Sequence, residues 1–250
     1  MTVNASRCLN ATSSSRMRIF ERDADRAFRY LDGMELTAEA VLFDIDGTLV
    51  DSTPVVERTW RSWARNHDVN AEEVLRVCHG RRTEDTVAMF VPEEDLASAT
   101  DELEQLELHD FDGVTALPAA ARLLASLPPD RWAAVTSGSQ QLMRARLAVA
   151  GLPVPAVLIA ADDVTEGKPS PQGYRLAAQT LGVDIRRCIV VEDAPAGIGA
   201  GLASDAIATI AVSTSHDPAQ LRAATVVIRD LSALEITTVD GALRVVAHAL

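Results

Sequence analysis

Two aspartates stand two residues apart in VLFDIDGTLVDS, residues 41–52, directly behind an apolar run that reads as a buried strand. A strand entering a core avoids unpaired charge, because an uncompensated buried carboxylate is costly. Asp44 and Asp46 therefore need either a cation beside them or a reaction to perform. Phosphate ester hydrolysis has that need. The anionic ester repels a nucleophile, so an attacking carboxylate requires a divalent cation and fixed positive groups to neutralise charge. Attack by Asp44 would give an aspartyl-phosphate and divide one hard hydrolysis into two displacements. Asp46 would protonate the leaving oxygen and later take a proton from water. Gly47 would let the backbone turn tightly and bring N–H groups to the phosphate. The plainer reading is a pair of turn or capping aspartates, since Asp-Gly is a common turn signal.

Three other stretches carry matching groups. VTSGS places Thr136 and Ser137 at the end of an apolar run, where hydroxyls and N–H groups can hold phosphate oxygens; Ser139 also reads as a helix N-cap. GKPSPQGY puts Lys168 in a loop before a helix, within reach of a nucleophile and phosphate, although a lone loop lysine is usually only solvated. IVVEDAPAGIGAG ends a strand in Glu192 and Asp193. Paired acids there suit Mg²⁺, which takes a few carboxylates plus water and phosphate oxygens. Capping of the next helix is their alternative role.

The elements that would position these groups alternate. Strands are expected at 41–45, 132–136, 156–160, 188–192, 207–212 and 225–229. Helical segments lie between them, such as SQQLMRARLAVAG with Ser139 and Gly151 at its ends, and SPQGYRLAAQTLG with Pro171 early and Gly182 beyond it. Strand–helix alternation with near-continuous apolar strands predicts an α/β fold: a Rossmann-like parallel sheet with helices on both faces. Ligands in such sheets bind at the carboxyl ends of the strands, where Asp44, Thr136 and Glu192–Asp193 all fall. Residues 54–117 break the alternation. They hold Trp60, Trp63, Val69, Val77, Val87 and Phe90 with many charges and no convincing strand, and read as a small all-helical insertion after the first strand. Trp60 and Trp63 are expected to pack inside it. The chain thus divides into an α/β core of 39–53 and 118–250, a helical cap of 54–117, and an N-terminal extension of 1–38. That extension is expected to be disordered or dispensable, with Met34 a credible alternative start.

Composition narrows the class. A 48% hydrophobic fraction suits a chain with a sizeable core, and a net charge of −13 argues against nucleic acid as a partner. Local cations must then hold an anionic substrate. Cys8, Cys78 and Cys188 are too few and too scattered for a disulfide framework and fit a reducing compartment. No apolar run approaches the ~20 residues that span a bilayer. The expectation is a cytoplasmic protein without membrane contact, monomeric or a weak homodimer.

In order and spacing, the four stretches resemble the motifs of the haloacid dehalogenase (HAD) superfamily, over roughly residues 39–235. DIDGTLVDS resembles its first motif, Thr136 its second, Lys168 its third, and Glu192–Asp193 its acidic fourth. The resemblance implies that Mg²⁺ is held by Asp44, the backbone carbonyl of Asp46, and Asp193, with Glu192 supporting directly or through water. It also implies that residues 54–117 form a mobile cap. HGRRTEDTV, ADDVTEGKPSPQGY and VVEDAPAGI are most similar to phosphatases of glycerol-3-phosphate and 2-deoxyglucose-6-phosphate, so a small phosphorylated sugar or polyol is the expected substrate. The family's GxRT pattern points to Arg82, rather than Arg81, as a substrate contact, against surface pairing with Glu84 or Asp85. Two departures are visible: Ser204–Asp205 and Ala119 stand where relatives often have glycine. The competing functions are a phosphomutase similar to β-phosphoglucomutase, using the same Asp44 and Asp46, and, more remotely, a non-catalytic binding module on the same fold.

Overall fold

The computed structural model describes residues 33–250. The chain begins with β1 (Met34–Ala38) and β2 (Ala40–Phe43), then a tight loop and the short β3 (Val50–Asp51). Four helices follow: α1 (Thr53–Asn66), α2 (Ala71–Cys78), α3 (Thr83–Val87) and α4 (Leu96–Leu108). The chain returns through β4 (Thr115–Ala116) to α5 (Ala120–Ala125), β5 (Trp132–Val135), α6 (Gln140–Val149), β6 (Leu158–Ile159), α7 (Gln172–Leu181), β7 (Cys188–Glu192), α8 (Pro195–Ala203), β8 (Ala208–Val212) and β9 (Val226–Ile228). It closes with β10 (Leu234–Val239) and β11 (Ala242–Ala247).

The six expected strands form one sheet in the order β6-β5-β2-β7-β8-β9, every pairing parallel. Side chains alternate across it. Val41 and Phe43 enter one core with Ile189, Val191 and Ile210, while Ala40 and Leu42 enter a second with Val190, Tyr174 and Ala177. Both faces are covered, which is why β2 carries no polar residue and is buried throughout. Beside β2 the crossovers change direction, since β5 and β6 lie on one side and β7 to β9 on the other. A crevice opens there at the carboxyl ends of the strands.

Helices α1 to α4 have a core of their own, in which Trp60 and Trp63 are buried with Val74, Val87, Ala99 and Leu103. The Trp63 indole N–H donates to the Ala99 carbonyl at 2.9 Å, tying α1 to α4. The two tryptophans thus pack within the module. The strand-free expectation for 54–117 is corrected at its end. Thr115–Ala116 pairs antiparallel with Val50–Asp51, so the chain enters and leaves the helical module as one two-stranded ribbon.

The expected extension needs a second correction. Residues 34–38 are an ordered strand, β1, paired antiparallel with β11, which pairs in turn with β10. Leu36, Ile236, Leu243 and Val245 of this third sheet pack into the main core. Asp240–Gly241, both at positive φ, make the two-residue turn that joins β10 to β11. Residues 1–32, including Cys8, lie outside the described residues. Gly151 and Gly182 sit at positive φ where their helices end, and Ser139 caps α6 by accepting from the Leu142 N–H. Both glycine departures also leave a mark: Ala119 and Asp205 occupy positive φ, at 67° and 72°.

Candidate active site

Asp44 leaves β2 with its N–H bound to the Val191 carbonyl at 3.0 Å, which holds the backbone in register with β7. The chain then folds over itself, the Ile45 carbonyl accepting from the N–H groups of Thr48, Leu49 and Val50. Gly47 makes this possible with φ +86°, and a Cβ there would lie 2.1 Å from Asp193 Oδ2. The position requires glycine both for its conformation and for room against the acid.

Lys168 reaches in from the loop before α7. Its Nζ lies 2.5 Å from Asp44 Oδ1 and 2.6 Å from Glu192 Oε1, and donates to the Val135 carbonyl at 3.1 Å. Glu192 is fully engaged. Oε1 also accepts from the Tyr174 hydroxyl at 2.7 Å, and Oε2 accepts from the N–H groups of Asp193 and Ala194. Asp193 accepts from Thr48 Oγ1 at 3.5 Å and from the Ser215 hydroxyl. Asp44, Glu192 and Asp193 each offer an oxygen within 4.8 Å of the others. Asp44 Oδ2 is buried and has no partner.

Two buried carboxylates thus pair with one ammonium, and a third, Asp193, lies beside them. Burial pushes the Asp44 carboxyl up to about 7, with Glu192 and Asp46 adding to the rise and Lys168 opposing it. Burial, then Asp44 and Glu192, raises Asp193 well above the ordinary carboxylate range. Burial alone would depress Lys168, but Asp44 and Glu192 outweigh it, raise its pKa and keep it charged. Burial and Glu192 likewise keep Tyr174 protonated as a donor. The cluster is short of positive charge, and its unpartnered oxygen is what a cation would engage. These residues fit a divalent metal ion.

Thr136 and Ser137 line the same crevice as Asp44, Asp46 and Gly47. The Thr136 hydroxyl accepts from the Gly138 N–H at 3.2 Å, and Ser137 donates to the Gly80 carbonyl of the helical module at 3.0 Å. The module therefore sits directly on the crevice. Arg82 lines a hollow beside the crevice with Thr136, Ser137 and Lys168. Its guanidinium makes two 2.8 Å bonds to Asp85 and a longer one to the Thr165 carbonyl, so the pairing with Asp85 weighed in the sequence is also formed. Arg81 lines the crevice with Asp44 and Asp46.

Several site residues escaped the sequence reading. Tyr174 lies in SPQGYRLAAQTLG, and nothing local marks its hydroxyl as a clamp on Glu192. Thr48 followed the first motif directly, and its hydroxyl could have been suspected. Ser215, His79 and Arg146 gave no signal, since only the tertiary fold brings them to the crevice.

The arrangement has known counterparts. The family model described as haloacid dehalogenase-like hydrolase matches residues 38–205. Hexitol phosphatase A of Escherichia coli is 43% identical over 207 residues, covering 81% of this chain and 95% of that protein. Glycerol-1-phosphate phosphohydrolase 2 of Saccharomyces cerevisiae is 33% identical over 196 residues, covering 74% of this chain and 78% of that one. Among solved structures, a hydrolase from Pseudomonas syringae aligns with a TM-score of 0.69 at 24% identity, covering 77% of this chain and 94% of its own, a likeness of fold. A parallel sheet ending in this acidic, lysine-clamped crevice, in a chain with such relatives, defines a phosphoric monoester hydrolase. The chain belongs to the haloacid dehalogenase-like hydrolases.

Proposed function

We propose that the enzyme hydrolyses phosphate monoesters of small sugars or polyols through an aspartyl-phosphate on Asp44, with Mg²⁺ as cofactor. The observation that carries the reading is the state of Asp44: one oxygen held by Lys168 at 2.5 Å, the other buried and unpartnered beside Asp193. A carboxylate so placed is aimed and kept from other bonds. The two named relatives act on polyol phosphates by their names, which supports the substrate class.

Asp44, Asp193 and the backbone carbonyl of Asp46 would hold Mg²⁺, which when bound neutralises phosphoryl charge. Glu192 acts one step back, fixing Lys168 and Tyr174. In the first step a carboxylate oxygen of Asp44 forms a bond to phosphorus while the ester P–O bond breaks. The proton of Asp46 passes to the departing oxygen. Lys168 neutralises charge between the nucleophile and the phosphoryl group. Thr136 and Ser137 would hold the phosphoryl oxygens; the N–H groups expected from the turn at Gly47 are taken instead, by the Val50 carbonyl for Gly47 and the Ile45 carbonyl for Thr48, Leu49 and Val50. In the second step Asp46 takes a proton from water, which attacks phosphorus and frees Asp44. Helices α1 to α4 serve as a cap. Their seating on Ser137 would shield the ester from bulk water and keep Arg82 and Arg81 beside it.

The test is a panel of sugar and polyol phosphates with and without Mg²⁺, scored for inorganic phosphate. Release that requires Mg²⁺ and is lost in Asp44→Asn is expected. Formation of an isomeric phosphate without free phosphate would overturn the reading in favour of a mutase. No turnover of any ester by Mg²⁺-bound protein would overturn it in favour of a binding module.

A further inference from the structure

Arg146 is the least expected residue of the crevice. It lies on the inward face of α6 with Leu142, Met143 and Leu147, where an apolar side chain would serve packing, yet its guanidinium is 3% exposed. Nη1 donates to Asp46 Oδ2 at 2.7 Å and Nη2 donates to Glu107 Oε1 at 2.9 Å. Asp46 belongs to the core loop after β2, and Glu107 ends α4 of the helical module. One buried cation therefore bridges the proposed acid–base group and the proposed cap.

Stability alone does not account for it. A buried ion triad gains little over well-packed apolar residues of the same volume. Pairing here is also incomplete, since Arg146 Nε and Asp46 Oδ1 are buried without partners. What the bridge does achieve is geometric. A short aspartate on a tight loop is held by one oxygen, which fixes its rotamer in the crevice, and the arginine is fixed in turn by a carboxylate of the module.

We infer that Arg146 is a positioning residue for Asp46, with Glu107 as its anchor, so that Asp46 is set for proton transfer when the helical module is seated. The inference rests on the assignment of Asp46 as acid and base. When Asp46 gives its proton to the departing oxygen, the alcohol leaves neutral, and the carboxylate left behind stays beside Arg146. Proton delivery matters most for an alkoxide leaving group and little for p-nitrophenolate, which departs without it.

The experiment compares kcat/KM for a polyol phosphate and for p-nitrophenyl phosphate, in the full chain with Mg²⁺. This parameter covers only the steps through departure of the alcohol. Arg146→Met should lower it about 10- to 100-fold for the polyol phosphate, and less than about 3-fold for the aryl ester. Arg146→Lys should recover part of the loss, and Glu107→Gln should show the same selectivity in weaker form. In an Asp46→Asn background, Arg146→Met should add almost nothing, because the two act as a unit. If the single variant misfolds, the paired change Arg146→Met with Glu107→Met removes both charges and should keep the leaving-group selectivity. Equal losses on the two esters, or no loss on either, would overturn the inference while leaving the phosphatase reading intact. A wild-type enzyme inert toward every ester would remove the reading beneath it.

Discussion

Removing the charge of Asp44 should stabilise the metal-free protein while ending turnover. The carboxyl is buried among Glu192, Asp193 and Lys168, and its pKa stands at about 7 against an ordinary 3.8. The folded-state value lies above the unfolded one. Folded Asp44 therefore keeps its proton over a window in which the unfolded chain has lost it. Stability contributed by this group is present below pH 3.8, falls as pH rises, and is gone above about 7. At 1.36 kcal/mol per tenfold, the ionised form at pH 8 costs roughly 4 kcal/mol. Asn keeps the shape and a hydrogen-bond acceptor for Lys168. The attraction of Lys168 for the ionised form is already contained in that value. The increase is therefore up to about 4 kcal/mol at pH 8, or roughly 8–16 °C in Tm for a chain of this size. The assay is thermal unfolding of Asp44→Asn and wild type in chelator, at pH 8 and pH 5, beside a phosphate-release measurement. The gain should be largest at pH 8 and shrink to roughly 1–2 kcal/mol at pH 5. Saturating Mg²⁺ should reverse the ranking, because only the wild type binds it well. An Asn variant less stable than wild type at pH 8, or equally shifted at both pH values, would refute the charge-strain account. Normal turnover would refute the nucleophile.

Other expectations follow from the same geometry. Divalent cations should bind with proton release, so affinity measured by calorimetry should fall from pH 8 to pH 6 by about tenfold through Asp44, which titrates at about 7. Lys168→Met leaves the acids without their ammonium and should cost about 3–5 kcal/mol in the metal-free state, measured by denaturant unfolding, with much of the loss recovered by Mg²⁺. Ala119→Gly relieves a left-handed alanine with φ of 67° and should raise stability by about 1 kcal/mol without changing kcat.

Much of this protein was legible in one dimension because its signals are local. A buried parallel strand must be apolar on both faces, so the six central strands announced themselves, and the polar residues at their ends stood out. Ser139, Gly151 and Gly182 marked helix ends through chemistry confined to one turn. The third sheet was missed for the opposite reason. Met34–Ala38 meets Ala242–Ala247 across nearly the whole chain, and no local pattern in MELTA names its partner. The alternation around Asp240–Gly241 was a readable hairpin signal that went unused.

The site divides in the same way. Residue type and position at strand ends nominate Asp44, Asp46 and Asp193, whereas Lys168, a lone loop lysine, is singled out by its resemblance to the family's third motif. Which arginine faces the crevice could not be read from adjacent Arg81 and Arg82. Asp85, one turn along α3, pairs with Arg82 beside Thr136 and Lys168, while the more exposed Arg81 lines the crevice with Asp44 and Asp46. Arg146 looked like one more charge on a helix until α4 and the first-motif loop closed around it. Sequence alone determined the chemistry this chain is equipped for. The tertiary structure decided which oxygens are free, which cations are engaged and what holds the acid in place, because those depend on contacts between separate elements of the fold, such as Asp44 with Lys168 and Asp46 with Arg146.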